Sequence, residues 1–282
     1  MYNQMKASQN RIRPGIGLGE IQFGMIRSDV LEILGLPDAI EITSHTDWPD
    51  NKSEVWLYGK DELTLSFDED HNWRLGLITI NEGNFNLYGV IYLNQQIGEI
   101  KSNLEDIGFK QTIFQDWSCL EIPSHKLIRV DNRSMNFWFD DDKLMEIQWG
   151  PIFKDEDTII WPYQSNNSKK LTSLEINIYD PVVLFDKLDF HLKDRLTNIF
   201  LNKDEYAYFV SDFPFSTERE NLSTKSISIK YYLRDDLKVK GSILVKARLL
   251  HNERGDIGWM ATEYDNELNV LDDFLVIEED YT

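Results

Sequence analysis

A short pattern that occurs twice constrains the fold of this chain more than any other feature. In each copy, alternating apolar and polar residues run into an acidic turn and continue into a second alternating segment, at residues 63–80 and 135–149. Alternation with a period of two is typical of strands that bury one face. Two such strands around a polar turn indicate a β-hairpin. The sequence therefore predicts two related hairpins with acidic tips.

A helix is predicted before each hairpin. Apolar residues lie at helical spacing over residues 26–34 and 97–107, and the two stripes end at Gly35 and Gly108. Glycine at this place is typical of the C-terminal end of a helix. Sheets of this kind bury one face under helices. We therefore expect an α+β fold of antiparallel sheets with helices on one face.

Composition indicates how the chain is divided. A polar run rich in Ser, Asn and Lys follows Trp161, and seven of the eight Trp residues lie at or before that position. Such a run is typical of an exposed connector. We expect five parts in chain order: a flexible N-terminus 1–15, an α+β unit 16–82, a second related unit 85–152, a linker 153–170 and a C-terminal α+β domain 171–282.

Patterns in the C-terminal domain predict further elements. Strands are expected at 174–179, 226–233 and 242–249, with Asp235 and Asp236 at the tip of a hairpin between the last two. The apolar segment 271–280 with acidic flanks is either a final strand or a docking segment.

The charge balance narrows the choice of partner. The chain has 49 acidic and 29 basic residues and a formal net charge of −20. A surface of this kind repels nucleic acid and anionic membranes and attracts basic partners. The first residues lack the apolar core of a signal peptide, and no apolar run has the length of a membrane span. We expect a cytoplasmic protein with neither a nucleic-acid nor a membrane partner.

No pattern predicts catalysis, a cofactor or a metal ion. Cys119 is the single cysteine and lies near His125, but a lone cysteine is usually a buried, inert residue. The five histidines show no zinc-ligand spacing. The acidic turns at 68–70 and 140–142 lack the glycine and closing glutamate of a calcium loop. These turns are solvated tips, partner contacts or, as a third alternative, cation ligands.

The N-terminal unit resembles a known family. Phe23-Gly24-Met25, Val30, Leu34-Gly35-Leu36-Pro37 and Trp56-Leu57-Tyr58 match the BamE-like (SmpA/OmlA) module over residues 16–80. The resemblance implies a small α+β fold that is used for protein contacts. Outer-membrane members of that family carry an acylated N-terminal cysteine, which this chain lacks, so membrane anchoring is not implied. In its tandem acidic units the chain also resembles bacterial toxin-immunity proteins.

We expect a non-catalytic acidic protein that binds another protein. The leading hypothesis is an immunity protein (antitoxin) that neutralises a basic toxin by occluding its active cleft. The alternatives are a scaffold or adaptor of a bacterial envelope or stress system and an enzyme of unknown class. Aromatic anchors beside acidic groups suit an interface. The predicted partner-binding residues are Asp68, Glu69, Asp70, Trp73, Trp138, Asp140, Asp141, Asp142, Trp149 and Trp161.

Overall fold

The computed structural model describes most of the chain and divides it into two compact units. Unit 1 contains Met1–Pro37 and Val55–Thr172, and unit 2 contains Asp38–Glu54 and Ser173–Thr282. The described residues are 10–44, 52–59, 63–120, 122–155, 158–163, 190–192, 194–199, 201–203, 207, 213, 221–232, 242–265 and 270–277.

In chain order the elements are β1 (Arg11–Arg13), β2 (Gly17–Leu18), β3 (Ile21–Gln22), α1 (Arg27–Leu34), β4 (Ala39–Ser44), β5 (Lys52–Tyr58), β6 (Leu63–Asp68), β7 (Arg74–Ile80), β8 (Asn86–Leu87), α2 (Ile97–Asp106), β9 (Ile113–Asp116), β10 (Lys126–Val130), a 3₁₀ turn (Asp131–Arg133), β11 (Met135–Asp140), β12 (Lys143–Trp149), β13 (Ile152–Phe153), β14 (Ile159–Ile160), β15 (Leu222–Tyr232), β16 (Ile243–His251), β17 (Gly255–Tyr264) and β18 (Val270–Ile277).

The main sheet of unit 1 has the strand order β5-β6-β7-β12-β11-β10-β9. From β6 to β9 in this order, each strand pairs antiparallel with the next one. In β6 and β11 the alternate residues are buried, as the period of two predicts. These inward residues are Leu63, Leu65, Phe67, Met135, Phe137 and Phe139.

A small second sheet, with the order β3-β2-β1-β8, contributes to the same core. Its apolar residues Ile12, Leu18, Ile21 and Leu87 are at most 2% exposed. Trp149 of the main sheet donates its indole N–H to the carbonyl of Gly17 at 3.2 Å. The two sheets of unit 1 are therefore tied together through a buried hydrogen bond.

The predicted α+β class is wrong, because the chain is mostly β. Strands make up 50% of it and helices 18%. Helix α1 buries Val30, and α2 buries Ile100 and Leu104, so each short helix supplies little of the core. The small sheet also supplies buried apolar residues to unit 1. Its strands of two or three residues are too short to show an alternating pattern.

One hydrogen-bond arrangement occurs twice in unit 1. The N–H of Leu75 donates to the carbonyl of Met25 at 2.8 Å, and the N–H of Leu144 donates to the carbonyl of Gln95 at 2.9 Å. The residues before these acceptors, Gly24 and Asn94, both have a positive φ and donate back to Leu75 and Leu144. Each hairpin also has a register shift just before its acidic turn. The predicted boundaries of units 16–82 and 85–152 stay predictions.

Unit 2 contains a sheet with the order β18-β17-β16-β15-β4. All its pairs are antiparallel, and β16 alternates strictly between buried and half-buried residues. The prediction of a final strand is confirmed, since β18 pairs with β17 over its length. The predicted strand 174–179 and the turn at Asp235 and Asp236 lie outside the described residues.

We expect Gly24→Ala to destabilise unit 1. Its φ is +90°, and an added Cβ would lie 2.9 Å from the carbonyl oxygen of Tyr163 and 3.1 Å from the ring of Trp161. The expected loss is about 1–3 kcal/mol in the free energy of unfolding, measured by urea denaturation of the full chain.

The matched control is Gly98→Ala in α2, where an added Cβ meets nothing within 4 Å. It should raise the free energy of unfolding by about 0.5–1 kcal/mol, since alanine is the better helix former. Equal effects of the two substitutions would contradict the close packing at Gly24.

Candidate functional site

A pocket of about 580 Å³ lies on the side of the main sheet opposite the core of unit 1. Trp138 and Glu146 face each other across β11 and β12. Asn81 and Glu82, which follow the end of β7, also line the pocket. The residues that line the pocket include His125, Trp138, Asp140, Glu146, Gln148 and Glu82.

Trp138 is held in place by three neighbours. Its indole N–H donates to Oε1 of Gln148 at 3.2 Å. The imidazole of His125 stacks on it, with ring centroids 4.9 Å apart and planes 18° apart. The ring of Trp117 approaches it edge-on at 6.2 Å. The aromatic wall of the pocket is therefore oriented before any ligand arrives.

The acidic turn of the second hairpin forms hydrogen bonds with the loop before β10 and with the first residue of that strand. Nδ1 of His125 and Oδ1 of Asp140 are 2.9 Å apart. The hydroxyl of Ser124 donates to Asp141 at 2.9 Å, and Lys126 donates to Asp142 at 2.6 Å. That hydrogen bond, with the charge of Asp142, raises the pKa of Lys126. All three aspartates thus have a partner within unit 1, which weakens the negative potential they present.

Glu146, which lines the pocket, has a raised pKa. Burial raises its pKa above the ordinary value, while a hydrogen bond with Gln148 and the charge of His125 act in the opposite direction. Burial disfavours the ionised form of a carboxyl group. The fold therefore keeps an acidic group partly out of water in a recess, and such groups occur often at functional sites.

The acidic turn of the first hairpin has a different arrangement. Nδ1 of His71 lies 3.7 Å from Asp68 and 3.5 Å from Asp70. The ligand atoms of these three residues fall within 4.8 Å of one another, so they could hold a divalent cation. The guanidinium of Arg27 lies over Trp73 at 5.0 Å, and His71 meets the ring of Trp161 at 5.8 Å. Glu69 belongs to the same turn.

The structure does not bring the predicted contact residues together. Strands β7 and β12 are antiparallel, with Ile80 opposite Ile147 and Ile78 opposite Trp149. The two acidic turns precede these strands, so they lie at opposite ends of the sheet. Two such turns cannot form one continuous acidic patch.

Trp149 must be removed from the predicted contact surface. Its side chain is 1% exposed and donates its N–H to Gly17. It faces the core because β12 alternates, and Ile147, two residues earlier, is also buried.

An exposed apolar loop adjoins the pocket. The sequence of segment 117–122 predicts a strand, but β9 ends at Asp116 and the described residues 117–120 form a loop. Trp117, Leu120 and Ile122 are 56%, 102% and 47% exposed. The backbone N–H of Trp117 donates to the carbonyl of His125 at 2.9 Å, which ties the loop to the pocket. We call Trp117, Leu120 and Ile122 the apolar rim.

Sequence reasoning missed most of this site. His125 and Glu146 were not proposed as binding residues, and the apolar rim was assigned to a strand. The available signal was that the run 117–122 does not alternate.

Comparisons with protein-family models, curated proteins and solved structures found no match. The resemblances to the BamE-like module and to immunity proteins therefore stay predictions. Within the described residues, the helices are all too short or too polar to cross a membrane.

We expect Glu146→Gln to stabilise the protein at neutral pH. The pKa of Glu146 is higher in the folded state, so the folded chain holds this proton more tightly than the unfolded chain. Above the folded-state pKa the carboxyl group is ionised in both states, and its burial lowers the free energy of unfolding. Below the unfolded-state pKa the group is protonated in both states, and this loss of stability disappears. Urea denaturation at pH 7 should show a gain of less than about 1 kcal/mol, which vanishes below about pH 4.

Glu105→Gln, on an exposed position of α2, is the control and should change the free energy of unfolding less than Glu146→Gln does. Loss of stability at pH 7 in Glu146→Gln would mean that His125 and Gln148 outweigh the effect of burial.

Proposed function

We propose that this protein is a non-catalytic binding protein for a basic partner protein. In the leading form of the proposal it is a cytoplasmic immunity protein that neutralises a toxin by covering its active cleft. The observation that supports this proposal most is that the pocket and the apolar rim lie next to each other on one face of unit 1. We call this combination the contact face.

The apolar rim has the chemistry of an interface core. Leu120 is 102% exposed, and Trp117 keeps more than half of its surface in water. Clusters of exposed large apolar residues usually mark interaction sites, and aromatic residues supply much of the binding energy there. Burial of Leu120 under a partner would stabilise a complex by about 1.5–3 kcal/mol before other costs.

The charge of the chain suits a basic partner. The formal net charge is −20, and the pocket contributes the carboxyl groups of Glu82, Asp140 and Glu146. Complementary charge speeds the encounter of two proteins and disfavours wrong partners. A toxin that grips phosphate groups presents the positive cleft that such a face would cover.

The same pocket favours a second candidate function, which is acid–base catalysis. Asp140 can orient the imidazole of His125, and the raised pKa of Glu146 suits a general acid.

A screen of hydrolytic substrates tests for this catalytic function. Turnover that His125→Ala abolishes and Leu201→Ser leaves intact would favour an enzyme over an inhibitor.

We expect Leu120→Ser to weaken the complex with the partner at least about tenfold, because the substitution removes apolar area from the rim. The partner would be captured by crosslinking in cells of the source organism and then purified. Its affinity for the wild-type chain and the variant would be measured by calorimetry.

Leu201→Ser is the matched control, since Leu201 is 66% exposed but belongs to unit 2. The association rate with wild-type protein should also fall as salt is added, because steering is screened. An acidic partner, or equal affinity for wild-type protein and Leu120→Ser, would refute the proposal.

A further inference from the structure

The pocket beside Trp138 has the dimensions of a receptor for one long side chain. Its volume is about 580 Å³, within the range of about 300–1,000 Å³ that is common for ligand sites. Its walls combine an oriented indole with carboxyl and amide groups from three places in the chain: the end of β7, the loop before β10 and the hairpin β11–β12. A receptor with these walls selects ligands by charge and by shape.

The pocket carries an excess of negative charge. Three acidic residues, Glu82, Asp140 and Glu146, and one histidine, His125, are among the residues that line it. With all three ionised and the imidazole protonated the balance is −3 + 1 = −2, and with a neutral imidazole it is −3. Lys126, on the next strand, is bound to Asp142. The pocket therefore attracts a cation and repels an anion.

Several acceptors in the pocket are already arranged for a ligand with many donors. Asp140 meets His125 through Oδ1, which leaves Oδ2 for a ligand. Glu146 stands on the neighbouring strand, opposite Trp138. Asn81 and Glu82, which follow the end of β7, line the pocket as well. A guanidinium has five N–H donors in one plane, whereas an ammonium has three at one point.

We propose that this pocket receives an arginine side chain of the partner protein, with its guanidinium among Glu82, Asp140 and Glu146 and beside the ring of Trp138. The inference rests on the proposed function and names the group that would anchor the partner. Arginine is favoured over lysine because its planar cation is weakly hydrated, contacts aromatic rings well and satisfies carboxylates on several sides. The apolar rim next to the pocket would cover the residues that flank this arginine.

Peptide titration tests the inference directly. The probes are acetyl-Gly-Arg-Gly-amide and its citrulline and lysine counterparts, added to the ¹⁵N-labelled full chain. The readout is the indole N–H signal of Trp138, assigned by its loss in Trp138→Phe. We expect the arginine peptide to shift this signal with a millimolar dissociation constant. The citrulline peptide should leave it in place, and the lysine peptide should bind several-fold more weakly.

Glu146→Gln should weaken binding of the arginine peptide about tenfold, the loss expected for a hydrogen bond to a charged group. Glu105→Gln should leave it unchanged. An unmoved Trp138 signal, an equal response to citrulline, or equal affinity of Glu146→Gln would overturn the arginine assignment. Unshifted positions for the other indole signals would show that each variant is folded.

The two proposals fail in different ways. If the captured partner depends on Leu120 but the arginine peptide does not bind, the contact face stands and the anchor is wrong. If the arginine peptide binds but Leu120→Ser leaves partner affinity unchanged, the pocket is a guanidinium site and the proposed function fails. Titration with agmatine distinguishes the two possible sources of the guanidinium group. Tighter binding of agmatine than of the arginine peptide would indicate a free small molecule rather than a partner's side chain.

Discussion

Antiparallel pairing of β7 with β12 is the contact on which the rest of unit 1 depends. It sets Ile80 opposite Ile147 and Ile78 opposite Trp149. Because side chains alternate across a sheet, a slip of one residue would exchange the two faces of a strand. The same register that buries Trp149 against Gly17 turns Trp138 and Glu146 away from the core. Core and pocket are thus two consequences of one alignment.

The contact face keeps features that stability by itself would not favour. Burial raises the pKa of Glu146, which means that its charge is held there at a cost. Leu120 projects into water without burying its side chain. Trp138 is fixed by Gln148 and His125 instead of being packed in the core. Such costs, gathered in one place, are typical of surfaces that a partner completes.

The two hairpins share a framework and differ at their tips. In both, an aspartate follows a buried phenylalanine and meets an imidazole: Asp68 lies near His71, and Asp140 near His125. The first turn spans residues 69–73 and contains its own histidine. The second is limited to residues 141–142, and its histidine comes from the loop before β10. The pocket is lined from that loop and from the end of β7.

Local sequence patterns determined the hairpins, their acidic turns, their inward residues and the final strand, because alternation specifies which side of a strand is apolar. The same patterns overestimated how much of the core the helices supply. Apolar residues at helical spacing do not reveal how little surface an eight-residue helix buries. Tertiary structure alone separated the acidic turns, brought His125 to Asp140 and grouped residues 38–54 with unit 2. These outcomes depend on pairing between distant strands, such as Ile42 with Ile229. Periodicity specifies a face and not a neighbour, so only the folded chain could decide them.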